Sequence, residues 1–569
     1  MSTFRLFLFG CAFATICSPA HAQLTLLSNI SANQAGGFSA GEIAAFDSVT
    51  DRLFVTSSGS NVHRVNIFDM ANPSSITAVG TPVDFSTTFG AAVNMLSLSS
   101  VAVNSAKGFG VASLIPTANT TTLGKVGFFN LSTGAVIGTL DVGYHPDSVT
   151  FSPDGSKLVI VNEGEFSAGS ANAPGSISIL DISSINSGNH ASLPGLTPIT
   201  RDFTAANLGS GVSLSGIRNS NIAAVGTSGT FIASVPDFTN VANQDPNAIE
   251  PEFASVIGNK VFVSLQDNNA IGEYDLTTNQ WTQITNLGTI AQTIDASDNT
   301  LPTISITQTV HGLPMPDTIA TYTVASKTYV VTANEGDARA DDRDMSRFGD
   351  IAGDDNMNPI IDPSFPVTQT GIRANGQQGR LDISRIDGDT NADGKIDRPT
   401  MIGTRSFTIW ESTATGLVQQ WDSGSFFENY IRDNDALGWV DGRSDNKGPE
   451  PEALAIGEIG GKTYAFIGME RTNGIFMFDI TDPTQPTFVD FQRISTGNIP
   501  LRPEGMQFVS ASDSPSGGPL LIVGFEGDGT ASSERIVVFS VVPEPSTAGL
   551  LLLGGLALWK LRARRRRSC

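Results

Sequence analysis

Apolar residues in this chain recur at every second position in short runs, and the runs follow a repeating order. LVIVNEGE (158–165), VVTANEGD (330–337), YAFIGMERT (464–472) and LLIVGFEGD (520–528) each read as a buried β-strand that ends in a carboxylate. Each is preceded by a more alternating run that opens with proline and an acid: PDSVTF (146–151), PDTIATYTV (316–324), PEALAIGEI (451–459) and PEGMQFV (503–509). A tight turn such as SPDG (152–155) joins the two runs, with glycine at the position a type I turn favours. A third run closing in an apolar–Asp pair follows, as in SISILDIS (176–183) and GIFMFDITD (474–482).

Weaker copies over 41–69, 95–130 and 249–277 bring the units to seven. Short antiparallel strands repeated in this way predict an all-β fold, a β-propeller of seven blades. A pair of β-sandwiches would leave the shared order of acidic start, hairpin and Asp exit without a reason. Two stretches fall outside the frame as insertions, 184–248 and 338–445. The first is rich in Ser, Asn and Gly and reads as surface loop. Within the second, GRLDIS (379–384) reads as the third strand of the unit that starts at 316.

In a propeller blade the first strand is innermost and leaves one face, and the second strand returns to it. The residue before strand one and the residue after strand two therefore share that face. This groups Asp147 with Glu163 and Glu165, Asp317 with Glu335 and Asp337, Glu452 with Glu470, Glu504 with Glu526, and Glu252 with Asp267. Carboxylates so close raise one another's pKa unless a cation or an arginine intervenes. Arg339, Arg443, Arg471 and Arg502 are the candidate arginines, and an oxygen-only donor set suits Ca²⁺ better than zinc or copper. Strand-end capping without a metal is the plainer reading of the same residues.

A second calcium candidate lies in the large insertion. DGDTNADGKID (387–397) matches the front of an EF-hand loop counted from Asp389, with Asn391, Asp393, the turn Gly394 and Asp397 in place. Position twelve is Thr400, so the usual bidentate glutamate is missing. Asp350, Asp354 and Asp355 are near enough in sequence to add ligands.

The two ends carry processing signals. Residues 1–22 combine Arg5, an apolar stretch and Ala20-His21-Ala22, which read as an export signal cleaved before Gln23. Residues 542–569 hold Pro543-Glu544-Pro545, an apolar segment from about Ala548 to Trp559 that is shorter than a full membrane span and crosses only with help from its flanks, and a basic cluster ending at Arg567. This tail closely resembles the PEP-CTERM sorting signal of Gram-negative bacteria. The resemblance implies transient insertion of a C-terminal membrane helix, cleavage by an exosortase-type enzyme, and delivery to the envelope surface or outside. All three cysteines, Cys11, Cys17 and Cys569, lie in these end segments, so the body of the chain has neither disulfide nor cysteine-bound metal. Net charge is −23, and seven of the 33 basic residues lie in the same ends. A body that acidic excludes nucleic acid as a partner, because phosphate binding needs clustered Lys and Arg.

Five stretches together resemble one family: HPDSVTFSPDGSKLVIVNEGE (145–165), MPDTIATYTVASKTYVVTANEGDAR (315–339), GTRSFTIWESTATGLVQQWDSG (403–424), RSDNKGPEPEALAIGEIGGKTYAFIGMERTNGIFMFDITDP (443–483) and GPLLIVGFEGDGT (518–530). The chain is similar to choice-of-anchor I domain proteins over about 23–541. That resemblance implies an exported propeller and points to Asn162 to Glu165, Asn334 to Asp337, Pro449 to Glu452 and Glu470-Arg471 as the places of function. Members are often labelled alkaline-phosphatase-like. In the last unit Phe525 stands where an Asn is expected.

Two function classes stay open. The first is a calcium-binding surface module that holds a polymer or protein partner, with Asp147, Glu165, Asp317, Asp337, Glu452, Glu504 and the 389–397 loop as ligands. The second is a calcium-dependent phosphoester hydrolase in which Glu163, Glu335, Glu470 and Glu526 are ligands or bases and Arg339 and Arg471 clamp phosphate. No Walker A, HExxH or GxGxxG pattern occurs, and GFSAG (37–41) lacks the strand and helix of a nucleophile elbow.

Overall fold

The structure is a computed structural model, and it describes residues 22–31, 43–59, 62–90, 94–164, 173–218, 245–299, 304–337, 345–350, 371–435, 438–494, 501–528 and 533–542. Among these residues, seven antiparallel sheets of four or five strands succeed one another along the chain. Their first strands are Ala44–Asp47, Val101–Asn104, Pro146–Phe151, Ala254–Ile257, Ile319–Val324, Pro451–Ile459 and Pro503–Val509. Each neighbours the next, and the last packs beside the first, so the inner strands ring a common axis. The fold is a β-propeller.

Period-two patterning explains the ring. Second and third strands such as Lys157–Asn162 and Ser176–Asp181 are buried on both faces because both faces are covered by neighbouring sheets. Each gap between consecutive sheets is filled by its own apolar cluster. Phe476, Phe478 and Phe407 pack between the fifth and sixth sheets, and Trp281, Tyr274 and Phe203 lie between the third and fourth. The seventh sheet is closed by the N-terminal strand Gln23–Ser31, which runs antiparallel to Arg535–Val542 with Gln23 opposite Val542 and Ser31 opposite Arg535. Strands from both ends of the chain thus complete one sheet.

Both insertions contribute more than loops. Ile199–Arg201 is the fourth strand of the third sheet, paired to Ser176–Asp181. The second insertion supplies the outer half of the fifth sheet, Phe407–Thr413 and Gly416–Asp422. The expected third strand in GRLDIS is corrected: Asp382–Ser384 instead pairs with Met345–Arg347 in a separate two-stranded sheet. Both stretches have the right pattern, but FTIWEST is longer and more apolar and takes the buried position.

A three-stranded sheet (Ile290–Ile294, Gln308–Leu313, Thr400–Ile402) and helix Phe426–Asn434 pack around the fifth sheet. The helix buries Phe427, Glu428 and Ile431. Arg405, 2 % exposed, pairs with Glu428 at 2.6 Å and donates to the carbonyls of Ser444 and Asn446. This strut fixes the 441–448 segment over the axis end of the ring. Among the described residues no helix is long and apolar enough to cross a membrane. The predicted export signal, apart from Ala22, and Pro543, Glu544 and Pro545 lie outside the described residues.

Candidate metal centre in the axial cavity

The acid-after-proline motif has a specific backbone. In His145-Pro146-Asp147, Met315-Pro316-Asp317, Glu450-Pro451-Glu452 and Arg502-Pro503-Glu504 the residue before proline takes a left-handed φ of 46°, 43°, 55° and 54°. Residues before proline are ordinarily extended, and a non-glycine φ above zero is strained. The strain is held by the second strand of each blade. The N–H groups of Glu163, Gly336, Glu470 and Glu526 bond the carbonyls of His145, Met315, Glu450 and Arg502. The turn at the start of strand one and the carboxylate after strand two are stapled together, which is why both acids reach one face. Strain of this kind, repeated around one cavity, marks a built surface.

The acids gather as the strand positions require. A cavity of about 270 Å³ on the axis is lined by Asp147, Glu252, Asp317, Glu335, Asp337, Glu452 and Glu504, together with Ser99, Ser100, Gln266, Ile43 and Phe253. Five blades contribute an acid from the start of their first strand. Near the first strands of the first and second blades the lining is Ile43, Ser99 and Ser100, so the acidic wall is open on that side.

Glu335, Glu452 and Glu470 each offer a carboxylate oxygen within 4.8 Å of the other two. All three are buried. Burial, reinforced by Glu504, Glu335 and Glu470, holds the Glu452 carboxyl well above its ordinary range. Burial and the neighbouring Glu450 push Glu470 up to about 9 against the pull of Arg471. Burial raises Glu335 too, opposed by Lys447 at 2.5 Å, and Gln266 donates to its other oxygen at 3.0 Å. Glu452 is 8 % exposed, and its Oε2 has no hydrogen-bond partner.

The rest of the ring shows the same stress. Glu252 and Asp317 lie well above their ordinary range, first by burial and then by Glu163 and Glu335 respectively. Burial raises Asp147 as well, opposed by His145 and by a bond from Ser99. His145 Nδ1 stands 3.3 Å from Glu163.

Beside the trio lies its counterweight. Glu450, fully buried, takes Arg443 Nε at 2.6 Å and Arg471 Nε at 2.9 Å, with Lys447 Nζ at 3.7 Å. Burial works against ionisation there, yet Lys447, Arg471 and Arg443 together bring the carboxyl down to about 2. Arg502 sits 3.7 Å from Glu470 and 3.6 Å from Glu526. Lys447 and Gln266 belong to the site but carry no motif in the sequence; Lys447 reaches it only because Arg405 holds its segment in place.

The asparagines of the Asn-Glu-Gly stretches do different work. Asn162 and Asn334 are fully buried. Asn162 accepts from Gly143 N–H and donates to Ser176 and Ser178, and Asn334 donates to Thr404, Ser406 and Thr408. They latch strands inside a blade. Phe525 is likewise buried at the corresponding place, and Glu526 after it is partly exposed.

The structure places the remaining candidates as follows. Glu163, Glu470 and Glu526 sit at the second-strand ends and are not among the residues lining the cavity, although Glu470 reaches Glu335 and Glu452 beside it; Asp337 lines it while half exposed. Glu165, Arg339, Asp354 and Asp355 lie outside the described residues. In the 389–397 loop the side chains are engaged with the loop itself. Asp389 accepts from the N–H groups of Asn391, Ala392, Asp393 and Gly394, Asp393 from Lys395, and Asp397 from Thr390 and from the Asn391 side chain. Thr400 points back to Arg398 from a buried strand.

Fold and site define a β-propeller whose axis opens into a buried carboxylate chamber. The chain belongs to the choice-of-anchor I domain family, whose profile matches residues 42–483. The match ends short of the seventh sheet and of the N-terminal strand that closes it. Similar curated proteins include Gigasin-3a of Magallana gigas, 27 % identical over 27 % of this chain and 63 % of that protein. Another is the mesenchyme-specific cell surface glycoprotein of Strongylocentrotus purpuratus, 27 % identical over 30 % of this chain and 26 % of that protein. The chain thus spans less than two-thirds of the length of these relatives. Among solved structures, the WD40 domain of Toxoplasma gondii coronin covers 93 % of this chain and is itself covered to 87 %, at 8 % identity and a TM-score of 0.40. A β-propeller domain from Myceliophteria thermophila covers 90 % and is covered to 99 %, at 8 % identity and a TM-score of 0.41.

Proposed function

We propose that the protein is an exported, surface-associated seven-bladed propeller that acts as a binding module, with Ca²⁺ held in its axial cavity. The carrying observation is the trio Glu335, Glu452 and Glu470, with oxygens within 4.8 Å and one buried Glu452 oxygen unpartnered. Lys447 pairs with Glu335 and Arg471 with Glu470, but crowding and burial still disfavour three charges so close, and a hard divalent cation relieves all three at once. Family membership supports the surface role. The strand register supports an outward-facing cavity. Arg535 lies beside Phe525 at the acidic end of the seventh sheet, whereas Val542 emerges at the opposite end. An anchor following Val542 would leave the chamber facing away from the membrane.

The test is calorimetric titration of chelator-treated protein with Ca²⁺, for wild type and Glu452→Gln. Saturable heat in the wild type, weakened at least tenfold in the variant, supports the reading; no heat in the wild type overturns it. Phosphate release from phosphoesters in the calcium-loaded protein would instead favour the hydrolase reading.

A further inference from the structure

We infer that the ligand of the cation-loaded cavity is a neutral, hydroxyl-rich sugar unit of a glycan. This rests on the cation reading above and names what binds beside the ion. The donor inventory of the wall decides the chemistry. The cavity-lining polar side chains are carboxylates, the hydroxyls of Ser99 and Ser100, and the amide of Gln266, whose Nε2 is already given to Glu335. With its carboxyls ionised around a bound cation, such a wall is almost entirely hydrogen-bond acceptor. A ligand that satisfies it must bring donors. A phosphate, sulfate or uronate brings further acceptors and negative charge against a wall of carboxylates.

The cation itself asks for the same group. Ca²⁺ takes about six to eight oxygens. Glu335, Glu452 and Glu470 would fill only part of that shell. Two vicinal hydroxyls complete it through their oxygens, while their protons point to wall carboxylates such as Glu252, Asp317 and Glu504. One group then serves as ligand to the metal and donor to the protein. The acidic cluster alone would not define this site. The second observation is an unpartnered oxygen, Oε2 of Glu452, in a side chain that is more than nine-tenths buried and belongs to the lining of this cavity.

Size and shape agree. At about 270 Å³ the cavity is just below the usual range for small-molecule pockets, about 300–1,000 Å³. That suits one sugar unit rather than an extended chain segment. Ile43, on the open side with Ser99 and Ser100, and Phe253, next to Glu252 at the fourth blade, are the apolar lining that can meet the C–H face of a sugar ring.

The test is calorimetry of purified protein, calcium-saturated or chelated, with the methyl glycosides of galactose, mannose and fucose. Galacturonate, glycerol phosphate and spermidine are the contrasting probes. The inference expects at least one neutral glycoside to bind only in the calcium form. It expects Glu252→Gln to weaken that binding at least tenfold while the calcium isotherm changes less than threefold. Galacturonate or glycerol phosphate binding more tightly than every glycoside overturns it, as does spermidine displacing calcium or glycoside binding that persists in chelator. Calcium binding with no glycoside heat overturns this inference and leaves the cation site standing; absence of calcium heat overturns both.

Discussion

Glu450 is the charge hub of the site, and removing its charge gives the sharpest stability prediction. Its carboxylate is fully buried and meets Arg443 at 2.6 Å, Arg471 at 2.9 Å and Lys447 at 3.7 Å. Glu450→Gln keeps the shape and the left-handed backbone but leaves three cations facing an amide. Breaking a buried ion pair costs about 3–5 kcal/mol, and the partial exposure of both arginines argues for the lower end. The displacement of the carboxyl from 4.5 to about 2 gives the same size, about 3 kcal/mol at about 1.4 kcal/mol per pH unit. The sign follows from linkage. A carboxyl depressed in the folded state adds stability that is complete above the unfolded value and is lost as pH falls through the folded one. Urea unfolding at pH 7 should therefore show the variant about 3 kcal/mol less stable, at unchanged m value. The gap should narrow by about 1.4 kcal/mol per pH unit below 4.5. A deficit under about 1 kcal/mol at pH 7, or one that does not shrink with acid, would refute the hub.

Other outcomes follow from single contacts. Glu470 is raised from 4.5 to about 9, so between these values the unfolded chain has lost a proton that the folded one keeps. Cation-free stability should fall across that window as pH rises, and Glu470→Gln should flatten the fall in urea melts run in chelator. Asn334→Ala removes the donor that joins Thr404, Ser406 and Thr408 inside the fifth sheet and should cost about 1–3 kcal/mol, with calcium affinity unchanged by calorimetry. Asp389→Ala removes an acceptor for four loop N–H groups that water can serve, so stability should drop by no more than about 1 kcal/mol and calcium heat from the axial cavity should persist. Deleting Gln23–Ser31 strips the outer strand from the seventh sheet, and near-UV circular dichroism should show loss of packing around Val537, Val538 and Phe539.

The propeller was legible because it is written many times. Period-two runs mark the strands, and proline followed by an acid marks where an inner strand leaves the axis. The same repetition predicted that Asp147, Asp317, Glu452 and Glu504 would share a face, and all four line one cavity. What escaped is what depends on a single placement. The third strand of the fifth blade lies beyond a long insertion, and two stretches there alternate equally well. Only packing against Tyr329 to Ala333 selects Phe407–Thr413. Lys447 looks like a loop lysine until the Arg405–Glu428 strut is seen to press its segment onto Glu335. Asn162 and Asn334 sit beside acidic residues in sequence, yet they face into the blade, whereas Glu335, the residue after Asn334, lines the cavity, a consequence of strand alternation at its last step.

The central claim is a divalent cation between Glu335, Glu452 and Glu470. Its most direct test is anomalous diffraction from crystals of the protein soaked in Mn²⁺, which shares calcium's preference for carboxylate oxygens. The account predicts one strong peak within bonding distance of all three carboxylates, with the Lys447 ammonium drawn back from Glu335. Anomalous density confined to the 389–397 loop or to surface carboxylates, with the axial trio still bare, would contradict it.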